Sequence, residues 1–196
     1  RAILKKSGAS FYEAVGEAAF YGPKIDVQVK TALGHEVTLS TVQLDYQLPE
    51  RFELEYVDEN DNRVRPVVIH RAILGSLDRF VAFILEETKG ILPAWLSPVQ
   101  VKILTVNEHN IGYANEIANR LNKNHIRVEK DLSNESVGKK IRSAVIEKSP
   151  FILVLGDKEM NEKTVAVRKR GSKDTECMSY EKFEEELLKA INDKTL

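Results

Sequence analysis

His70-Arg71-Ala72-Ile73-Leu74-Gly75-Ser76-Leu77-Asp78-Arg79-Phe80 joins the end of a strand to the start of a helix through a glycine turn. The β-branched run Val67-Val68-Ile69 leads into it as a strand. Gly75 interrupts the extended pattern, and Ser76 is an N-cap residue type. Leu77, Phe80, Val81, Ile84 and Leu85 then recur at helical spacing, which predicts a helix with a buried stripe. Upstream, Ile25, Val27 and Val29 alternate with Lys24, Asp26, Gln28 and Lys30, the period of a strand with one buried face. Leu33-Gly34-His35 supplies a turn, and residues 37–45 read as the returning strand. Residues 52–57 alternate again before the turn cluster Glu59-Asn60-Asp61-Asn62. Residues 1–97 therefore read as an α+β domain, an antiparallel sheet followed by a helix.

Downstream, Leu92-Pro93-Ala94-Trp95-Leu96-Ser97-Pro98 forms the join, because its two prolines prevent a continuous helix. Residues 98–196 alternate strand and helix. Strands are expected at 101–106, 125–128, 151–155 and 164–167. Helical stripes run through Ile111, Ala114, Ile117, Ala118 and Leu121, through Val137, Ile141, Ala144 and Val145, and through Phe183, Leu187, Leu188 and Ile191. The almost wholly apolar Phe151-Ile152-Leu153-Val154-Leu155 predicts a central strand covered on both faces. This pattern implies an α/β domain with a mostly parallel sheet.

The 196 residues carry 29 Lys+Arg and 30 Asp+Glu, a formal net charge of −1 that excludes a uniformly basic nucleic-acid protein. Divided after residue 97, the charge is 11 basic against 14 acidic, net −3, then 18 against 16, net +2. No apolar run approaches the roughly 20 residues that span a bilayer, so no membrane association is expected. The single Cys177 excludes an internal disulfide framework and favours a reducing, cytoplasmic setting. The chain opens on Arg1 and reads as a piece of something longer.

Four stretches combine into a resemblance. They are Ala19-Phe20-Tyr21-Gly22-Pro23-Lys24-Ile25-Asp26, Ser40-Thr41-Val42-Gln43-Leu44-Asp45, the stretch 70–80 quoted above, and Gly156-Asp157-Lys158-Glu159. In this order and spacing the chain resembles the threonyl-tRNA synthetases, a family of class II aminoacyl-tRNA synthetases. The likeness covers essentially the whole chain, as the last part of the catalytic domain (1–97) and the anticodon-binding domain (98–196). Strand, glycine and helical arginine resemble class II motif 3. The resemblance implies ATP-dependent activation of threonine and its transfer to tRNA(Thr), with Mg²⁺ accompanying ATP and a homodimer for the full-length protein. A fragment without the earlier class II motifs is expected to be inactive alone.

Residue by residue, the resemblance puts Arg79 and Lys24 on phosphate charge. The chemistry fits, since a planar guanidinium and an ammonium both offset charge when carboxylate attacks the α-phosphate. Gly75, lacking a Cβ, would let the backbone approach adenine, with Ser76 beside it. Tyr21, Thr41 and Gln43 would border the ATP and threonine pocket. His70 matches one of three ligands, one Cys and two His, of a Zn²⁺ that binds the substrate hydroxyl and so rejects valine. The other two are expected before Arg1, and the chain by itself is expected to hold no stoichiometric zinc. Cys177 is taken as a plain thiol, and His35, His109 and His125 have no partner spacing. In the second domain Asn134, Glu159 and Arg168 would read anticodon bases through edge hydrogen bonds and stacking. Other readings remain open: another class II synthetase sharing this C-terminal domain, a non-catalytic tRNA-binding or regulatory protein, or a protein-interaction module.

Overall fold

A computed structural model describes residues 1–195 as two compact units divided between Glu87 and Thr88. The first holds a short helix α1 (Ala2–Ser7), then β1 (Lys24–Lys30), β2 (Glu36–Asp45), α2 (Gln47–Arg51), the small ribbon β3 (Tyr56–Val57) and β4 (Arg63–Val64), β5 (Val68–Ala72) and α3 (Leu77–Glu87). β1, β2 and β5 form an antiparallel sheet in that order. Lys24 lies opposite Gln43, and Gln43 opposite His70, so these three side chains stand in one row across the sheet. Asp26 and Thr41 form the next row on the same face. The register shifts by a bulge between Val27 and Gln28.

The alternation along β1 does set a strand, but the apolar face expected to be buried is open. Ile25, Val27 and Ile69 are exposed. The stripe expected to be buried on α3 is also largely exposed: Leu77, Val81 and Leu85 face solvent, and only Phe80, Phe83 and Ile84 are partly covered. Periodicity reports which face is apolar. What covers that face is a separate matter, and nothing among the described residues of this unit does so.

The second unit contains β6 (Val101–Thr105), a 3₁₀ turn (Glu108–Asn110), α4 (Ile111–Lys123), β7 (Val128–Asp131), α5 (Val137–Ile146), β8 (Phe151–Leu155), α6 (Asp157–Glu162), β9 (Thr164–Lys169), β10 (Glu176–Ser179) and α7 (Tyr180–Asn192). Residues 88–97 belong here, ten positions earlier than the sequence expectation for the boundary. Hydrogen bonds tie the end of this stretch to the second unit. Arg127 donates to the carbonyls of Trp95 and Ser97, and Gln100 Nε2 donates to that of Ala94.

The sheet runs β10-β9-β8-β6-β7. β7, β6 and β8 are parallel, as expected, and β9 pairs antiparallel with both β8 and β10, so the sheet is a mixed one in which only β9 runs against the other four strands. Between β8 and β9 stands only the six-residue α6, too short for a parallel crossover. The expected strand at 125–128 starts at Val128, because His125 adopts φ +58° in the turn that ends α4. One face carries the main core: Val101, Ile103, Leu153, Leu155, Val165 and Val167 pack under α4 and α7, with Phe183 and Leu187 fully buried. On the other face α5 covers Leu104 and Ile152 with Ala144. Burial opposes the charge of Lys102 on the interior strand β6, but ion pairs with Glu129 and Glu147 outweigh it and raise its pKa.

Candidate functional site

The first unit gathers its polar side chains on one sheet face. Lys24 Nζ donates to Asp26 Oδ2 at 2.7 Å, and the other Asp26 oxygen accepts from Thr41 Oγ1 at 2.6 Å. Gln43 Nε2 donates to Thr41 Oγ1 at 3.3 Å, while Gln43 Oε1 accepts from the Tyr21 hydroxyl. This chain links Lys24, Thr41, Gln43 and Tyr21 through Asp26, which in the sequence is marked only as a polar strand position. The hydrogen bond from Lys24 raises that ammonium's pKa. Burial pushes the Asp26 carboxyl up, but Lys24 and Thr41 together hold it below the usual carboxylate range.

Tyr21 reaches this face because Gly22 lies directly against β2: a Cβ there would stand 2.1 Å from the Leu44 carbonyl oxygen. The backbone locks the approach on both sides, with Leu44 N–H donating to Pro23 and Tyr46 N–H to Tyr21, each at 3.0 Å. The Tyr21 ring also meets His70 edge-on, 5.7 Å between centroids. His70 Nε2 lies 2.8 Å from Asp45 Oδ2. Asp45 is completely buried, and its Oδ1 accepts the backbone N–H groups of Gln47 and Leu48, each at 2.9 Å. Burial raises its pKa, and the Leu48 amide, His70 and the Gln47 amide more than offset that, leaving it lowered.

Gly75 adopts φ +65°, the left-handed turn that glycine permits, and Ser76 Oγ accepts from Arg79 N–H at 3.4 Å to start α3. The Arg79 side chain is exposed and meets no partner among the described residues. As a metal donor, His70 is suitable in kind, being an imidazole oriented by a carboxylate. In number the donors fall short, since no group of three His, Cys, Asp or Glu among the described residues could hold an ion.

In the second unit the carboxyl ends of β6, β7 and β8 share one edge, where parallel sheets collect ligand-binding loops. Glu159 lies in the first turn of α6, just past β8, and its Oε2 accepts the Gly156 N–H at 3.0 Å. Asn134 sits in the loop between β7 and α5, with no hydrogen-bond partner among the described residues. Two buried residues brace this edge. Asn110 Nδ2 donates to Asp157 Oδ1 at 2.8 Å, and Lys140 Nζ donates to the carbonyls of Thr105 at 2.9 Å and Asp131 at 3.4 Å. Neither was legible as a brace in sequence, because each partner is remote or is a main-chain oxygen.

Arg168 stands elsewhere. It pairs with Ile152 near the start of β8, three residues, or about 10 Å, back from the edge that carries Glu159. There it lines a shallow hollow of about 190 Å³ with Val145, Ser149, Ile152, Lys169 and Arg170. Its guanidinium has no ion pair among the described residues, whereas neighbouring Lys169 is paired with Glu186 at 2.8 Å.

Comparison with known proteins covers both units. Residues 2–88 match the family model of the tRNA synthetase class II core domain (G, H, P, S and T), and residues 100–190 match that of the anticodon binding domain. The threonine–tRNA ligase of Oceanobacillus iheyensis is 49% identical over all of the chain and 31% of its own length. That of Geobacillus kaustophilus is 49% identical over 99% of the chain and 30% of its length. The chain thus spans about three-tenths of the curated relatives it matches. A crystal structure of the RNA binding domain of threonyl-tRNA synthetase from Cryptosporidium parvum superposes with a TM-score of 0.88 at 38% identity, covering 96% of the chain and 48% of that structure. With two adjoining family models and relatives about half identical from end to end, the chain belongs to the threonyl-tRNA synthetase family, over the last part of its class II core and its anticodon-binding domain.

Proposed function

We propose that the chain contributes the last strands and the motif 3 helix of a threonine–tRNA ligase active site, together with the module that reads the anticodon of tRNA(Thr). The observation that carries this is the row Lys24–Gln43–His70, which aligns three of the site residues across three strands with Thr41 and Tyr21 tied to it. A row of this kind can hold a small polar substrate against a charged one. Lys24 and Arg79 would offset phosphate charge as the threonine carboxylate attacks the α-phosphate of ATP and pyrophosphate leaves. Lys24 would share its charge with Asp26, which holds the ammonium in place before substrate arrives. Tyr21 and Gln43 would border the amino-acid side, and the Gly75–Ser76 turn would face adenine. ATP would bring Mg²⁺ on its phosphate oxygens.

His70 would serve as one zinc ligand. When bound, zinc supplies Lewis-acid recognition of the threonine hydroxyl, a discrimination that an apolar pocket makes poorly. The chain's own part is to hold the imidazole in place, through Asp45 on one side and the Tyr21 ring on the other. The anticodon-binding domain, drawn at residues 98–196 within the second unit, would present Asn134, Glu159 and Arg168 to the anticodon. In the complete enzyme, a homodimer in the cytoplasm is the expected setting. No helix among the described residues is long and apolar enough to cross a membrane.

Amino-acid-dependent pyrophosphate exchange by the enzyme carrying the remainder of the class II core tests the reading. Exchange should depend on threonine and fall sharply with Arg79→Ala. Exchange driven by proline, glycine, serine or histidine instead, or none with any amino acid, would overturn it.

A further inference from the structure

His70 has two ring nitrogens, and only one has a partner among the described residues. Nε2 faces Asp45 Oδ2 at 2.8 Å, while Nδ1 is unengaged on a side chain 43% exposed. The Asp45 carboxylate cannot turn to share its oxygens differently. Its Oδ1 is held by two backbone N–H groups at the start of α2, and the whole side chain is excluded from solvent. A carboxylate has no proton to offer, so a neutral imidazole beside it must place its own proton on the facing nitrogen. Nδ1 is then left with a bare lone pair.

We propose that Asp45 is a positioning residue that fixes His70 as the Nε2–H tautomer, making Nδ1 the electron-pair donor that the polar face offers to its ligand. The proposal rests on reading His70 as a metal ligand only for the nature of that ligand; the tautomer itself follows from Asp45. With a metal on Nδ1, the arrangement would be a carboxylate–histidine–metal relay in which the carboxylate comes from the neighbouring strand.

The geometry also fixes the sign of a substitution. In Asp45→Asn the side-chain oxygen must stay on the Gln47 and Leu48 amides, because an amide nitrogen there would oppose two donors. The –NH₂ group would therefore point at His70 and donate to Nε2, moving the ring proton to Nδ1. An amide in place of an orienting carboxylate gives a histidine the wrong tautomer.

The test is long-range ¹H–¹⁵N spectroscopy of the chain with ¹⁵N-labelled histidine at mildly alkaline pH, with His70→Gln assigning the His70 signals. In the unsubstituted chain Nδ1 should resonate as an unprotonated nitrogen and Nε2 as a protonated one. Asp45→Asn should exchange the two patterns while the Gln47 and Leu48 amides stay protected, which shows that the fold is kept. A protonated Nδ1 in the unsubstituted chain overturns the proposal, with or without a folded variant. So does an unchanged pattern in a folded Asp45→Asn. Zinc affinity, measured by chelator competition on the enzyme carrying the remainder of the core, tests the ligand separately. Asp45→Asn should weaken it about 10- to 100-fold and His70→Gln should abolish it. If His70→Gln keeps full zinc, the metal reading falls and the tautomer assignment stands. If Asp45→Asn keeps unsubstituted affinity, the positioning role falls.

Discussion

Substitution of Glu159 tests its proposed reading of an RNA base separately from its capping of a helix. Its Oε2 is committed to the Gly156 N–H at 3.0 Å, which leaves Oε1 as the oxygen free to accept from a base. In Glu159→Gln the amide oxygen can keep the Gly156 bond, so α6 retains its cap and stability should change by less than about 0.5 kcal/mol. The –NH₂ then takes the place of the free acceptor and reverses the hydrogen-bonding polarity offered to the base. A mismatched base-edge contact costs about 1–3 kcal/mol, or about 5- to 150-fold in affinity. In Glu159→Ala both bonds go. The base preference is lost, and the protein is destabilised by a further ~1 kcal/mol from the orphaned Gly156 amide. Fluorescence anisotropy with anticodon stem-loop RNAs that differ at one anticodon position would read the preference, and thermal unfolding the cap. Glu159→Gln should weaken binding to the RNA that donates at the contacted position, and weaken it least where the base presents an acceptor. The salt slope should not fall, since no cation is removed. Equal losses across all anticodon variants, or none, would refute the reasoning.

Other outcomes follow from the same geometry. Phe183→Ala removes a fully buried ring from the core-facing side of α7 and should cost about 3–5 kcal/mol, seen as a lower denaturation midpoint of the second unit. Gly22→Ala places a methyl 2.1 Å from the Leu44 carbonyl oxygen and should strain that contact by about 1–3 kcal/mol; faster hydrogen exchange at the Leu44 and Tyr46 amides is the readout, and unchanged protection would contradict it. Asp131 is held below the usual carboxylate range by the Ser133 hydroxyl and amide against the effect of burial. Its contribution to stability is therefore complete above its unfolded pKa, about 3.9, and is lost as pH falls through the lower folded value. Asp131→Asn should accordingly show a shallower fall in stability on the acid side in denaturant melts.

What the sequence reveals here depends on whether a residue's partner is local. Period-two alternation places Lys24, Thr41 and Gln43 on polar strand faces, and the glycine before Ser76 marks the start of α3, as the structure has them. Asp45, Lys140 and Asn110 carry no such mark, and the alternation that puts Asp26 on the polar face does not name its partners. Their partners are set by strand register or by packing across loops, which spacing along the chain does not encode. The apolar stripe on α3 is legible as a stripe but not as an exposed one, because exposure depends on neighbours. β10 leaves no mark in the sequence, since Glu176-Cys177-Met178-Ser179 has neither alternation nor a β-branched run and becomes a strand by pairing with β9. The antiparallel turn at β9 had a usable signal, because eight residues between strands leave no room for a crossover.

The three-stranded sheet of the first unit has consequences for handling the chain in solution. β1 and β5 each pair on one side only, so both leave a ladder of backbone donors and acceptors unpaired within that sheet. Beside those ladders lie exposed Ile25, Val27 and Ile69, a combination that invites strand addition by another copy. Lys24, Asp26 and Lys30 punctuate β1 as charged gatekeepers, whereas β5 has only Arg71 to discourage stacking. Intermolecular β-sheet should therefore nucleate at β5 before β1, and a charge introduced at Ile69 should delay aggregation more than one at Val27.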